Sequence, residues 1–216
     1  SSIRVPAIGT LDTKLVAVGE APGEDEEYNK EPFWPNARAG EKFTNCLGRN
    51  GVMREDIFIT NLCKYRPPQN HFDTLLNSQQ LLDGLQELQQ DLLKIKPNVI
   101  LALGNWPMYF LTGKHGYEHG KPKPGSGITN HRASILPCIF KGLENTKVIP
   151  TYHPAHVARE AKLYPIFDMD IRRAIDDSKF PEFNLEPLTT VINPTPDEIE
   201  RAAYELLRAP LYSFDI

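Results

Sequence analysis

The chain has 216 residues, 40% of them hydrophobic and 24% charged, enough for one soluble domain of ordinary size and a remainder. No run of eighteen apolar residues occurs, and the opening SSIRVPAIGT lacks the apolar stretch of a secretory signal, so neither a membrane span nor export is expected. The net charge of −4 is uneven: residues 181–216 carry two basic and seven acidic side chains, leaving the first 180 at +1, a balance that does not by itself argue for nucleic acid.

In chain order, strand and helix signals alternate. KLVAVG reads as a buried strand ending at Gly19, and GEKFTNCLGRNG as a short helix closed at Gly51. DIFITNL is a second strand. Ser78 caps a helix whose Leu81, Leu85, Leu88, Leu92 and Ile95 recur at three- and four-residue spacing. NVILALG is a third strand running into a short helix, NWPMYFLTG. HGYEHGKPKPGSG, rich in Gly and Pro, reads as a loop, with Lys121 and Lys123 as available phosphate contacts. ASILPCIF and TKVIPTY are two further strands. HPAHVAREAKL starts a helix with Pro154 in its first turn, broken at Pro165, and IFDMDIRRAI continues as another. Apolar strands separated by helices predict an α/β fold: three layers, α/β/α, around a central, mainly parallel sheet of four to five strands.

Past Lys179 the chain becomes extended and Pro-punctuated. Thr195-Pro196-Asp197-Glu198 then has the form of a helix start. This divides the chain into a domain over 1–180, a linker and helix over 181–208, and the start of a further domain over 209–216.

Cys46, Cys63 and Cys138 are odd in number, scattered and without a CxxC pair. They argue against disulfides and metal, and for a reducing compartment such as the cytoplasm of a bacterial or phage-infected cell.

In doubly wound sheets ligands bind beyond the carboxyl ends of the strands. Three segments leave strand ends there: GEAPG (19–23), NLCKYRPPQN (61–70) and YHPAHVAR (152–159). Each has a plain reading. The first can be only a tight turn, Asn61 only a turn residue, His153 only a helix N-cap. Glu24, Asp25, Glu26 and Glu27 read mostly as a solvated acidic run, and His71, His115, His119 and His156 as surface residues without partner spacing. Together, however, a carboxylate, an amide, an imidazole and an aromatic converge on one sheet edge.

In their order, GEAPG, then Pro32-Phe33, then Ala39-Gly40 opening a helix, then TNLCKYRPPQN and TYHPAHVAR, these segments resemble the uracil-DNA glycosylase superfamily, in particular its family-4 type, over about residues 14–178. The resemblance implies uracil-containing DNA as partner and an N-glycosidic hydrolysis that starts by extruding the nucleotide. Phe33 would stack on the flipped base, beside Ala21, Pro22 and Gly23, whose backbone approaches base and phosphate. Asn61 would read uracil O4 and N3–H. His153 would support the uracil anion at O2, and Glu20 would position water or stabilise the cationic sugar. Lys64 and Arg66 would contact phosphates, and Arg159 would enter the gap left in the duplex. Glu26 matches a second acid of the motif.

Two departures stand out. Family-4 enzymes hold an iron–sulfur cluster on four cysteines, one at the position of Tyr65, one in the following helix and two near the amino terminus. None is a cysteine here, so no cluster and no other cofactor or metal is expected. The segment 34–39, with Trp34, is longer than usual. The last residues, LYSFDI, resemble the first acidic strand of a 3′–5′ exonuclease, with Asp215 as its first Asp. That arrangement implies fusion to exonuclease and polymerase domains, as in DNA polymerases of some phages. A template- or uracil-binding module with little catalysis is the alternative to an active enzyme.

Overall fold

The apolar runs become a parallel sheet because none of them has a face fit for water. The structure, a computed structural model, describes residues 3–118, 121–123, 127–183 and 195–208, in two units that divide after Phe183. In the first unit the strands are β1 (Ile8–Gly9), β2 (Leu15–Gly19), β3 (Phe58–Asn61), β4 (Val99–Leu103), β5 (Gly116–Glu118), β6 (Lys121–Lys123), β7 (Leu136–Pro137) and β8 (Lys147–Thr151). Every residue of β2, β3, β4 and β8 is buried.

The main sheet runs β1-β3-β2-β4-β8-β7, and its four central strands are parallel. Phe58, Val16, Ile100 and Val148 stand in one row across them. Such strands need cover on both faces, which is why they read as continuous apolar runs. The sheet has six strands rather than four to five, and the additions are two-residue antiparallel edges. β1 is too short to carry a periodic signal. Of ASILPCIF only Leu136–Pro137 pairs, and Pro137, having no N–H, suits an edge. The loop expected at HGYEHGKPKPGSG contains the β5–β6 hairpin, while residues 119–120 and 124–126 lie outside the described residues.

The helices of this unit are α1 (Glu24–Asn29), α2 (Arg38–Arg49), α3 (Gln79–Ile95), α4 (Asn105–Thr112), α5 (Ile128–His131), α6 (Pro154–Arg159) and α7 (Tyr164–Asp177). Ser78 Oγ accepts from the Leu81 amide at 3.2 Å and starts α3, whose Leu81, Leu88, Leu92 and Ile95 are buried. α4 and α7 both lie against β4 and β8, and α2 against α6 and α7. Pro165 does not break α6. That helix has already ended at Arg159, and Pro165 sits in the first turn of α7, where its missing N–H costs nothing. Lys147, buried at the start of β8, donates to the carbonyls of Asp177 and Phe180 at 2.7 and 2.8 Å and fastens the chain beyond α7 to the sheet.

In the second unit α8 (Pro196–Arg208) begins with the expected reciprocal cap: Thr195 N donates to Glu198 Oε2 at 2.8 Å, and Glu198 N to Thr195 Oγ1 at 3.4 Å. Residues 184–194 and the strand expected at LYSFDI, Asp215 included, lie outside the described residues. Among the described residues no helix is long and apolar enough to cross a membrane.

Candidate functional site

Four parallel strands deliver their carboxyl ends to one side of the sheet, and a cleft of about 820 Å³ opens there. β2 delivers Glu20, Ala21, Pro22 and Gly23, and the turn before α6 delivers His153; all line the cleft, with Phe33, Trp34, His156 and Arg159. Asn61 ends β3. It is buried, is not itself on the cleft wall, and stands beside Phe33. A Cβ built on Gly19 would lie 2.3 Å from Asn61 Oδ1 and 2.4 Å from Phe33 Cζ, so any side chain at Gly19 would push both away.

β4 supplies a contribution that the sequence reading passed over. Gly104 leaves the strand at φ +111°, and a Cβ there would meet Glu20 Oε1 at 2.8 Å and His153 Cδ2 at 3.4 Å. Glu20 and His153 thus face the same point, and only a glycine lets them. The signal was present in NVILALGNWP as a strand, a glycine and a helix start.

Phe33 is placed by its backbone. It adopts φ +50°, uncommon for a residue with a side chain, at a cost of roughly 1–3 kcal/mol. Glu26 holds it there: its Oε1 accepts from the Phe33 amide and its Oε2 from the Gly23 amide at 2.7 Å. Burial raises the pKa of Glu26, and the Gly23 and Phe33 amides and Arg54 pull it back. The acidic run is therefore a helix, α1, rather than a loop; Glu24 and Asp25 are solvated as expected, and Glu26 works inward. The Phe33 ring lies 5.4 Å from that of Phe43 and 5.7 Å from the imidazole of His153.

His153 is both an N-cap and a cleft residue. Its Nδ1 accepts from the Ala155 amide at 3.1 Å, so this nitrogen carries no proton and Nε2 holds the hydrogen. Burial, helped by the charges of Arg159 and His156, draws its pKa down to about 4. It is a neutral donor at physiological pH. Glu20 is pushed the other way, up to about 7, by burial that the Trp106 amide only partly offsets. A carboxylate at the edge of ionisation next to a neutral imidazole is the kind of pair that divides roles in a hydrolytic site.

The basic residues separate. Lys64 is not available to phosphate: it is 2% exposed, and its Nζ donates to Thr60 Oγ1 and to the Asn61 carbonyl. Arg66 is paired with α1, 3.3 Å from Glu24 and 3.8 Å from Glu27, and its Nε donates to Asn70. Arg159 is exposed on the cleft wall, as is Arg38, and His156 also lines the cleft rather than standing apart on the surface.

An iron–sulfur cluster does not fit these residues. The 216 residues hold three cysteines, all buried as free thiols, and a Cys₄ set cannot be assembled from them. Tyr65 instead bridges through its backbone to Arg4 of the amino-terminal arm. Among the described residues no group of three or more His, Cys, Asp or Glu could hold a metal. The purified protein is expected to be colourless and free of iron; stoichiometric iron with charge-transfer absorbance in the visible would overturn this.

A family model described as the uracil DNA glycosylase superfamily matches residues 6–177. The type-4 uracil-DNA glycosylase of Thermotoga maritima is 38% identical over 152 residues, 70% of this chain and 69% of that protein. Its counterpart from Archaeoglobus fulgidus is 33% identical over 169 residues, 78% of this chain and 79% of that protein. A DNA polymerase of Bacillus phage SP01 is 24% identical over 177 residues, covering 81% of this chain but 17% of the polymerase. The match spans the whole of the sheet and every segment that builds the cleft, and the chain belongs to the uracil-DNA glycosylase superfamily.

Proposed function

We propose that this domain flips uracil out of DNA and hydrolyses its N-glycosidic bond without a metal. One observation carries the reading. Among the described residues the one buried side-chain polar atom without a partner is Asn61 Oδ1. A buried orphan acceptor costs about 1–3 kcal/mol unless a ligand satisfies it. Uracil N3–H, carried past the cleft wall to this buried residue beside Phe33, would do so, while the Asn61 amide hydrogens meet O4. Cytosine has no hydrogen at N3 and would leave the oxygen orphaned.

The rest follows from placement. The flipped base stacks on Phe33, which returns part of the unstacking cost. As the bond from C1′ to N1 breaks, its electron pair goes to the base, and His153 Nε2–H donates to the oxygen where that charge gathers. Ionised Glu20 stabilises the cationic sugar or takes the proton of the water that attacks C1′. Arg159, on the cleft wall, serves the DNA backbone or the vacated gap; Arg66 can do so only by leaving its acidic partners.

The test is incubation with single- and double-stranded oligonucleotides that contain one uracil, followed by alkaline cleavage of abasic sites. Cleavage at that position is the expected result, and intact strands would overturn it. Asn61→Asp is expected to lower the preference for uracil over cytosine by about ten-fold or more, because a carboxylate supplies no hydrogen for O4. Competition between the two substrates measures it, and an unchanged ratio would remove Asn61 from base reading.

The similarity to the phage DNA polymerase favours a second reading, in which the domain holds template next to a fused polymerase domain. Binding of uracil-containing DNA with no release of uracil would select it.

A further inference from the structure

Lysine ammonium groups are seldom fully buried, and then only with partners. Lys64 is 2% exposed and follows β3. Its Nζ donates to Thr60 Oγ1 and, over 2.7 Å, to the Asn61 carbonyl. Both acceptors belong to the last two residues of β3. One buried cation therefore grips the strand end that carries the Asn61 amide.

The loop bearing Lys64 is itself fastened. Val5 N donates to the Lys64 carbonyl at 2.8 Å, and Arg4 bridges Tyr65. The Arg4 guanidinium reaches both carboxylate oxygens of Glu87 on α3, at 2.7 and 2.8 Å. Lys64 is faced by Glu87 and Asp91 of α3, by Arg4 of the arm and by Cys63 of its own loop. The stretch around Tyr65, where the resemblance would put a cluster ligand, is held by an ion pair and a buried cation instead.

We propose that Lys64 is a positioning residue that orients Asn61 for base reading, with the Arg4–Glu87 pair locking the loop that carries it. Asn61 Oδ1 has no hydrogen-bond partner of its own, so Lys64 holds this residue through its backbone carbonyl and not through its amide. Desolvation lowers the pKa of Lys64 to about 8, so the grip is mainly charged at neutral pH. The role given to Asn61 rests on the uracil reading above; the grip on Asn61 does not.

The experiment follows the side-chain amide signals of Asn61 by nitrogen-15 NMR, assigned by their loss in Asn61→Asp, in wild type, Lys64→Met and Thr60→Val. In both variants the Asn61 pair is expected to shift or broaden while the backbone spectrum stays dispersed. The ratio of uracil to cytosine excision is expected to fall about ten-fold, the scale of one charge-assisted hydrogen bond. Adding Lys64→Met to Asn61→Ala should lower that ratio no further, because the two act through one group. Unmoved Asn61 signals in a folded variant, or losses that add, would overturn the proposal. Should Lys64→Met fail to fold, Thr60→Val decides, since it keeps the side-chain shape and removes one acceptor. Should wild type release no uracil, the uracil reading falls and the amide signals alone decide the grip.

Discussion

Glu20→Gln is expected to slow uracil release by roughly two to three powers of ten, the scale for losing one preorganised electrostatic partner, while making the folded domain more stable at neutral pH. Both effects come from the same burial. The Glu20 pKa is about 7 in the fold against an ordinary value of 4.5. Between those values the folded protein holds a proton that the unfolded chain has released. Stability therefore falls as pH rises through this window, and the whole loss is felt above it. A shift of that size corresponds to at most about 3 kcal/mol, less whatever solvent reaches this partly exposed side chain. Glutamine removes the charge and keeps the shape and the acceptor for the Trp106 amide. In wild type, single-turnover rates should rise with pH through about 7, as the carboxylate ionises. In the variant they should be low and flat, with a higher melting temperature at pH 8. DNA affinity should change far less, because phosphate contacts do not involve Glu20. A fully active variant would remove Glu20 from the chemistry, and one that melts below wild type at pH 8 would contradict the desolvated carboxylate.

The sheet was legible because its central strands are buried on both faces, so each is a short unbroken apolar run between helices. Its edges were not. Ile8–Gly9 and Leu136–Pro137 are two residues long, and what makes them strands is the neighbour they pair with. α1 was hidden for a related reason. Four consecutive acids read as a solvated stretch, and the feature that organises them, the Glu26 carboxylate on the Gly23 and Phe33 amides, runs from Gly23 to a left-handed turn at Phe33.

Within the site, Glu20, Phe33 and His153 lie next to a strand end or a proline turn, which made them candidates, and the ordered resemblance gave them roles. Gly104 was marked only as a glycine between a strand and a helix start, since its importance lies in the absence of a Cβ between two side chains distant in sequence. For Lys64 the sequence context points away from its place in the fold. A lysine beside an arginine in a polar loop looks like a phosphate contact, and only the three-dimensional course of the chain turns it back onto Thr60 and Asn61.

His153→Ala is expected to slow uracil release by a similar two to three powers of ten, since the donor that meets the leaving base is lost. Alanine also removes the N-cap of α6, which costs about 1 kcal/mol, so a lost helix end could mimic a lost donor. His153→Asn separates them. Asparagine caps helices well but does not extend to where Nε2 stands, so it should restore stability and leave the rate low. The pH dependence supplies a second check. The imidazole pKa is about 4 in the fold against an ordinary 6.5, so between those values the unfolded chain takes up a proton that the folded one refuses. Stability from His153 is therefore present above 6.5 and lost as pH falls toward 4, the opposite sense to Glu20. Where the two windows overlap, from 4.5 to 6.5, the contributions nearly cancel in wild type. Removing either group should expose the other. His153→Asn should lose stability as pH rises across that range, and Glu20→Gln as it falls. Melting curves of the two variants at pH 4.5, 5.5 and 6.5 measure this, and parallel pH slopes in both would show that the two groups are not buried together as the cleft geometry requires.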